Sequence, residues 1–183
     1  MSFRILHYKT LDSTSDLAKT FAEKGAAANT VIVADYQEKG RGQFDRTWQS
    51  PRGKDLLFSI ILRPNRVKAN ALPIITQIAA EVIRDVLRSE FGFKATIKKP
   101  NDVLVGGKKI CGILTEGSTQ GGWVGYVILG IGLNVNSTKK ELLRTATSIK
   151  VLSGKMYDQK LILEKILSKW SEWHDKNQVS ARN

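Results

Sequence analysis

Hydrophobic and polar positions alternate at two periods along the chain, and the changes of period divide it into elements. Residues 3–8 (FRILHY) and 30–37 (TVIVADYQ) are short and apolar, which predicts strands. Between them, LDSTSDLAKTFAEKGA (11–26) places Leu17, Ala18 and Phe21 at helical spacing. Ser13 with Asp16 forms a capping-box-like start to that helix, and Gly25 a stop. Residues 38–55 show no period and mix glycines, a proline and many charges, so they read as a long loop. A loop of that length inside a compact domain is usually functional or disordered. LLFSIILRP (56–64) predicts a strand closed by Pro64. The strongest helix spans 71–92, with Ile75, Ile78, Ala79, Val82, Ile83, Val86 and Leu87 on one face. Short strands follow at 94–99, 102–106, 108–117 and 123–132. Gly106-Gly107 suits a two-residue hairpin, and STQGG (118–122) a longer connection. A short helix is expected within 134–144 and an amphipathic one over 159–176. The tail at 178–183 is expected to fray.

Strands run in sequence rather than in strict βαβ alternation. That predicts an α+β fold: a mixed, largely antiparallel sheet with helices packed on one face. One domain over 1–177 is expected, without internal repeats. The single cysteine, Cys111, rules out an internal disulfide and reads as a core residue. No apolar run is long enough to span a bilayer, and the N-terminus carries no signal-peptide pattern, so the default location is cytoplasmic. The formal charge of +12 favours anionic partners. The cations are scattered and no DNA-binding motif accompanies them, so specific nucleic-acid binding is not expected.

Candidate chemistry concentrates in four places. GRG (40–42) offers close backbone approach beside a planar cation, although a solvated turn would look the same; Arg46 and Trp48 follow in the same loop. GIG (130–132) lacks the spacing of a dinucleotide fingerprint and reads either as a β-bulge or as backbone packed on a flat ring. Asn101-Asp102 after Pro100 is turn chemistry or a polar site. Lys108-Lys109 opens a strand that otherwise reads as buried. A hairpin lysine in solvent explains Lys108, while Lys109 could set a point charge over a developing negative charge. His7 and His174 are isolated, so no nucleophilic triad is visible.

Taken in order, DSTS (12–15), YQEKGRGQFDRTWQSPRGKDLLFSIILRP (36–64), KKPND (98–102), KKICGILTE (108–116) and GIGLNVN (130–136) resemble the biotin protein ligase family over nearly the whole chain. The resemblance implies a class II aminoacyl-tRNA-synthetase-like catalytic domain that makes biotinyl-5′-AMP from biotin and MgATP. Pyrophosphate would be released, and biotin passed to a lysine of a biotin carboxyl carrier domain. Carried onto this chain, Ser13, Thr14 and Ser15 would line the biotin pocket, with Gln37 at its floor. Gly40, Arg41 and Gly42 would close over biotin and phosphate. Lys109 would meet the biotin carboxylate and the α-phosphate, and Arg41 and Lys109 together would offset the repulsion of two anions. Gly112 and Gly130 would pack against the ligand, and Asn134 would face the adenine. Gln43, Arg46, Trp48, Asn101 and Asp102 would serve the nucleotide, with Asp102 a candidate Mg2+ ligand.

The chain also departs from the family pattern. Lys99 stands where members usually have tryptophan, Gln43 where many have arginine, Ser15 where many have asparagine, and Asp45 replaces a glycine. Neither an N-terminal winged helix nor the small C-terminal β-barrel is expected. Two other readings keep the fold: a lipoate or octanoate enzyme, which the GRG…R-x-W loop disfavours, and a degenerate biotin-binding module. Homodimerisation through a sheet edge is a further expectation, with residues 123–130 a plausible surface.

Overall fold

Seven strands join into one sheet in the computed structural model, which describes residues 1–44, 46–65 and 67–180. In chain order the elements are β1 (Arg4–Tyr8), α1 (Thr14–Glu23), β2 (Thr30–Ala34), β3 (Leu56–Leu62), α2 (Leu72–Phe91), β4 (Ala95–Lys98), β5 (Asp102–Val105), β6 (Lys108–Gln120), β7 (Trp123–Leu133), α3 (Ile149–Ser153) and α4 (Gln159–Ser180). The sheet order is β1-β2-β3-β7-β6-β5-β4. β1 and β2, joined through α1, pair in parallel, and every other neighbouring pair is antiparallel. The fold is therefore α+β with a mostly antiparallel sheet, as the order of strand patterns predicts.

The helices do not share one face as expected. Val31 and Val33 of β2, with Phe58 and Ile60 of β3, pack in one core with Ala79, Ile83 and Leu87 of α2 and Ile162, Ile166 and Trp170 of α4. Ile32, Ile61 and Ile128 pack in a second core with Ala18 and Ala22 of α1. The reason lies in the strands themselves. All five residues of β2, and Leu56–Ile61 of β3, are buried. Strands apolar at nearly every position need cover on both sides, so α1 lies across the sheet from α2 and α4.

Local chemistry sets most boundaries. The Ser13 hydroxyl accepts the Asp16 amide at the start of α1, while Pro73 sits in the first turn of α2 and a left-handed Gly92 ends it. The connection expected at 118–122 is shorter than its composition suggests. β6 continues through Gln120, and Gly121-Gly122 (φ 58° and 81°) form a two-residue turn. No helix forms within 134–144, because the backbone there bonds elsewhere. The Asn134 amide donates to the Ile110 carbonyl and that of Asn136 to Lys54. α3 has no signature in the sequence, since five residues capped by Ser148 are too few to show a period. The expected tail is still helical backbone at 178–180, and 181–183 lie outside the described residues. Among the described residues no helix is long and apolar enough to cross a membrane.

Phe58 is fully buried at the centre of the larger core. Phe58→Ala is expected to cost about 3–5 kcal/mol, measured by chemical denaturation. A loss below about 1 kcal/mol would mean that this core is not packed as described.

Candidate functional site

A cavity of about 370 Å³ opens on the α1 side of the sheet. Its floor is a gap in the side chains. Gly112 of β6 lies directly opposite Gly132 of β7, and Gly130 lies opposite Leu114. Without these side chains the pleat leaves a trough of bare backbone. The loop fills part of it: a Cβ added at Gly132 would collide with the Trp48 indole, and one at Gly112 would lie 2.7 Å from it. Residues 40–44 and 46–48 form the two arms of a small hairpin over the trough, with Gly42 N–H donating to Arg46 O (2.7 Å) and Trp48 N–H to Gly40 O (2.9 Å). Among the described residues the Trp48 indole N–H has no hydrogen-bond partner.

At one end of the trough, hydroxyls and one amide converge. Thr14 donates from both N (2.7 Å) and Oγ1 (2.9 Å) to Gln37 Oε1. The Ser59 hydroxyl lies 2.8 Å from Thr14 Oγ1 and 3.0 Å from Ser15 Oγ. Ser15 sits against Gly130, where an added Cβ would lie 2.6 Å from its hydroxyl oxygen. This end is neutral and buried, and it is rich in groups that both donate and accept.

At the other end stands Lys109. The β5–β6 register shifts, pairing Val103 with Cys111 but Leu104 with Lys109, so Ile110 is an extra residue on β6. Such a bulge re-aims the residues around it. Ile110, Cys111 and Ile113 all enter the larger core, and the Lys109 amine turns to the opposite face and lies over Gly112. It is 2.7 Å from Asp102 Oδ1 and 5.4 Å from the centre of the Trp48 ring. Lys108, one residue earlier, is exposed. Asn101 fixes the turn beside it: its side-chain amide donates to Ile113 O (2.9 Å), and its carbonyl accepts the Ile113 amide (3.0 Å).

Every residue that the family resemblance assigns to biotin or nucleotide lines this cavity except Gly40. At Gly40 a Cβ would strike the Trp48 carbonyl, so the glycine serves the hairpin. Asn134 is buried and spends its side-chain amide on Thr147 O (2.9 Å). Arg41 lines the cavity, but its guanidinium is held by Glu116 (2.9 and 2.6 Å) and Asp16 (2.8 Å). The Glu116 hydrogen bonds outweigh partial burial and keep it firmly charged. Asp45 lies outside the described residues. Cys111 is fully buried in the larger core, where desolvation pushes its thiol well above the ordinary range, so it is no nucleophile.

Several residues of the site escaped sequence reading. Ser59, fully buried behind Thr14 and Ser15, had a signal, a lone hydroxyl in an apolar strand. Leu142 and Leu143 come from the segment expected to be helical, and Ala146 from just beyond it. That segment is held by Lys109, whose N–H donates to Thr145 O and whose carbonyl accepts the Thr147 amide. Asp55 is buried and accepts from Val135 N–H (2.9 Å), Ser137 N–H (3.2 Å), Ser137 Oγ (2.6 Å) and Ser50 Oγ (2.7 Å). It thereby ties the end of the loop to the opposite wall.

Comparison with known proteins decides the family. The model of the "Biotin/lipoate A/B protein ligase family" matches residues 7–134. The chain belongs to that family. It is 36% identical over 171 residues to the bifunctional ligase/repressor BirA of Bacillus subtilis, covering 91% of this chain and 52% of that protein. The chain thus spans about half the length of that curated relative. A biotin–[acetyl-CoA-carboxylase] ligase of Mycobacterium tuberculosis is 28% identical, covering 87% of this chain and 59% of the relative. The Aquifex aeolicus biotin protein ligase R40G mutant in complex with biotin superposes with a TM-score of 0.81 at 32% identity, over 96% of this chain and 72% of that one. The same organism's ligase in complex with biotin and ATP gives 0.75 at 32%, over 92% and 69%.

Glu141 is a wall carboxylate surrounded by donors. The hydrogen bond from Lys54, then those from Thr138, lower its carboxyl from 4.5 to about 2. A depressed pKa means that the charged pair favours the folded state above the ordinary value and loses that effect as pH falls through the folded one. Any stability difference between wild type and Glu141→Gln should therefore shrink between pH 4.5 and about 2. A carboxyl-carbon NMR titration should place the Glu141 midpoint near 2, and a midpoint near 4.5 would mean the contact does not persist in solution.

Proposed function

We propose that this chain carries the catalytic core of a biotin protein ligase. The observation that carries the reading is a single trough with two unlike ends. A neutral cluster of Thr14, Ser15, Gln37 and Ser59 lies at one end, the Lys109 amine at the other, and glycine backbone partly covered by Trp48 between them. Biotin has the matching asymmetry. Its ureido ring donates and accepts without net charge, its tail is apolar, and it ends in a carboxylate. The likeness to ligases solved with biotin and with biotin and ATP supports the same choice.

On this reading a biotin carboxylate oxygen attacks the α-phosphorus of ATP. The bond to the β-phosphate oxygen breaks, and pyrophosphate leaves with its electron pair. Two anions must meet, and Lys109 supplies the positive charge at that point. The hairpin and Trp48 exclude water from the mixed anhydride. A carrier lysine amine then attacks the acyl carbon, AMP departs, and the amine proton goes to solvent. No enzyme nucleophile is required, consistent with the buried Cys111. Mg2+ would supply charge neutralisation on the phosphates. Asp102 could contribute one ligand, but its Oδ1 already pairs with Lys109, and among the described residues no cluster of three metal-ligating side chains occurs. That donor set suits a cation shared with phosphate rather than a protein-built cage.

Pyrophosphate release from MgATP, measured with biotin, lipoate or octanoate, is expected to depend on biotin. Lys109→Ala should lower the rate by roughly 10²–10³, the usual cost of removing one group that stabilises developing charge. Release with lipoate but not biotin, or an unchanged rate in the variant, would overturn this assignment.

A further inference from the structure

Arg41 is one of the two cations that the family resemblance nominates to offset the charge of the ligand, yet in this structure it faces two carboxylates of the protein. Its two Nη atoms reach both oxygens of Glu116 on β6 (2.9 and 2.6 Å), and Nη2 also reaches Asp16 Oδ1 on α1 (2.8 Å). A planar fork matched to a carboxylate is the most directional ion pair a side chain can make. Two negative charges surround one positive charge, so Arg41 offers little net attraction to an anion. Lys109 has a single carboxylate partner, Asp102.

The placement of these contacts explains what they can do. Gly112, Leu114 and Glu116 alternate along β6 onto the cavity face. Four residues of strand span about 13 Å. The hairpin rests on that face at two points, one from each of its strands. Trp48 lies on Gly112 and Gly132, and Arg41 is clasped at Glu116. Arg41 and Thr47 pair across the hairpin, which links the two supports. The loop therefore straddles the trough, with the trough-lining Leu114 between its two footings.

We propose that Glu116 and Asp16 are positioning residues that latch the 40–48 loop shut over the cavity through Arg41, and that Arg41 acts as the bolt of this latch rather than as a ligand-binding cation. Asp16 lies next to Ser15 in the chain, so the latch also ties the loop to the element that carries the hydroxyl end of the site. The biotin arm of the test rests on the proposed ligase reading, whereas the exchange arm does not.

Hydrogen exchange of the unliganded full chain is compared for wild type, Glu116→Gln and the double variant Glu116→Gln/Asp16→Asn. The amides of Gly42 and Trp48, bonded within the hairpin, should exchange about tenfold faster in the double variant while those of α2 keep their rates. Unchanged protection at Gly42 and Trp48 overturns the latch whether or not the protein binds biotin. If the substitutions loosen α2 as well, the reversed pair Arg41→Glu/Glu116→Arg decides. Recovered loop protection supports the latch, and continued exposure overturns it. Calorimetric titration with biotin then separates the two roles of Arg41 by sign. Freeing Arg41 from both carboxylates should weaken biotin binding about tenfold if it is the bolt. Tighter binding would mean that it serves the ligand carboxylate, and would overturn the proposal. Wild type that shows loop protection sensitive to Glu116 but no affinity for biotin would retain the latch and reject the ligase reading.

Discussion

Where β6 and β7 pair Gly112 with Gly132, the sheet has no side chain on one face, and most of the site follows from that vacancy. The other face of the same strands stays crowded with Cys111, Ile113, Ile131 and Leu133, so the sheet loses little of its core. On the bare side the trough is deep enough to receive the Trp48 ring and to give the Lys109 amine a place over backbone. Side chains at either glycine would exclude the indole and turn the trough into ordinary core. The bulge at Ile110 completes the arrangement: one extra residue sends consecutive apolar side chains into the core and leaves Lys109 on the open face.

The walls are held by polar contacts rather than by apolar packing. Asp55 gathers four donors from the end of the loop and from the segment after β7. Lys54, its neighbour in the chain, adds the ion pair to Glu141. A buried carboxylate satisfied by several N–H and O–H groups is expensive to leave half-paired, which makes its geometry hard to alter. Residues 53–55 thus act as a joint between the two walls. The 40–48 hairpin is held differently, by one aromatic contact and one ion-pair cluster that is partly exposed. That difference is one of stability. The joint is built to stay closed, and the loop contacts are of a strength that a ligand can compete with.

Charge is arranged more finely than the total of +12 suggests. In and beside the cavity three cations have acidic neighbours: Lys109 has Asp102, Lys54 has Glu141, and Arg41 has Glu116 and Asp16. The site is therefore not a simple basic pit. Its character comes from which cations keep surplus charge and which are neutralised, and it is on this count that Lys109 and Arg41 part.

By itself the sequence determined the elements and much of the site's membership. Short apolar runs marked the strands, the 3.6-residue period marked α2 and α4, and the glycines of GRG and GIG marked places where backbone could come close to something. These are local signals, carried by residues near one another in the chain. What the tertiary structure alone decided were relations between distant segments. The placement of α1 across the sheet from α2 and α4 follows from burial of β2 and β3 on both sides, a property of the assembled sheet. The failure of residues 134–144 to form a helix follows from bonds to Ile110, Lys54 and Thr147. The pairing of Arg41 with a glutamate 75 residues away has no trace in either neighbourhood. A side chain's spacing can tell which face it occupies, but whom it meets there depends on how separate strands come into register, and that is fixed only when the sheet closes.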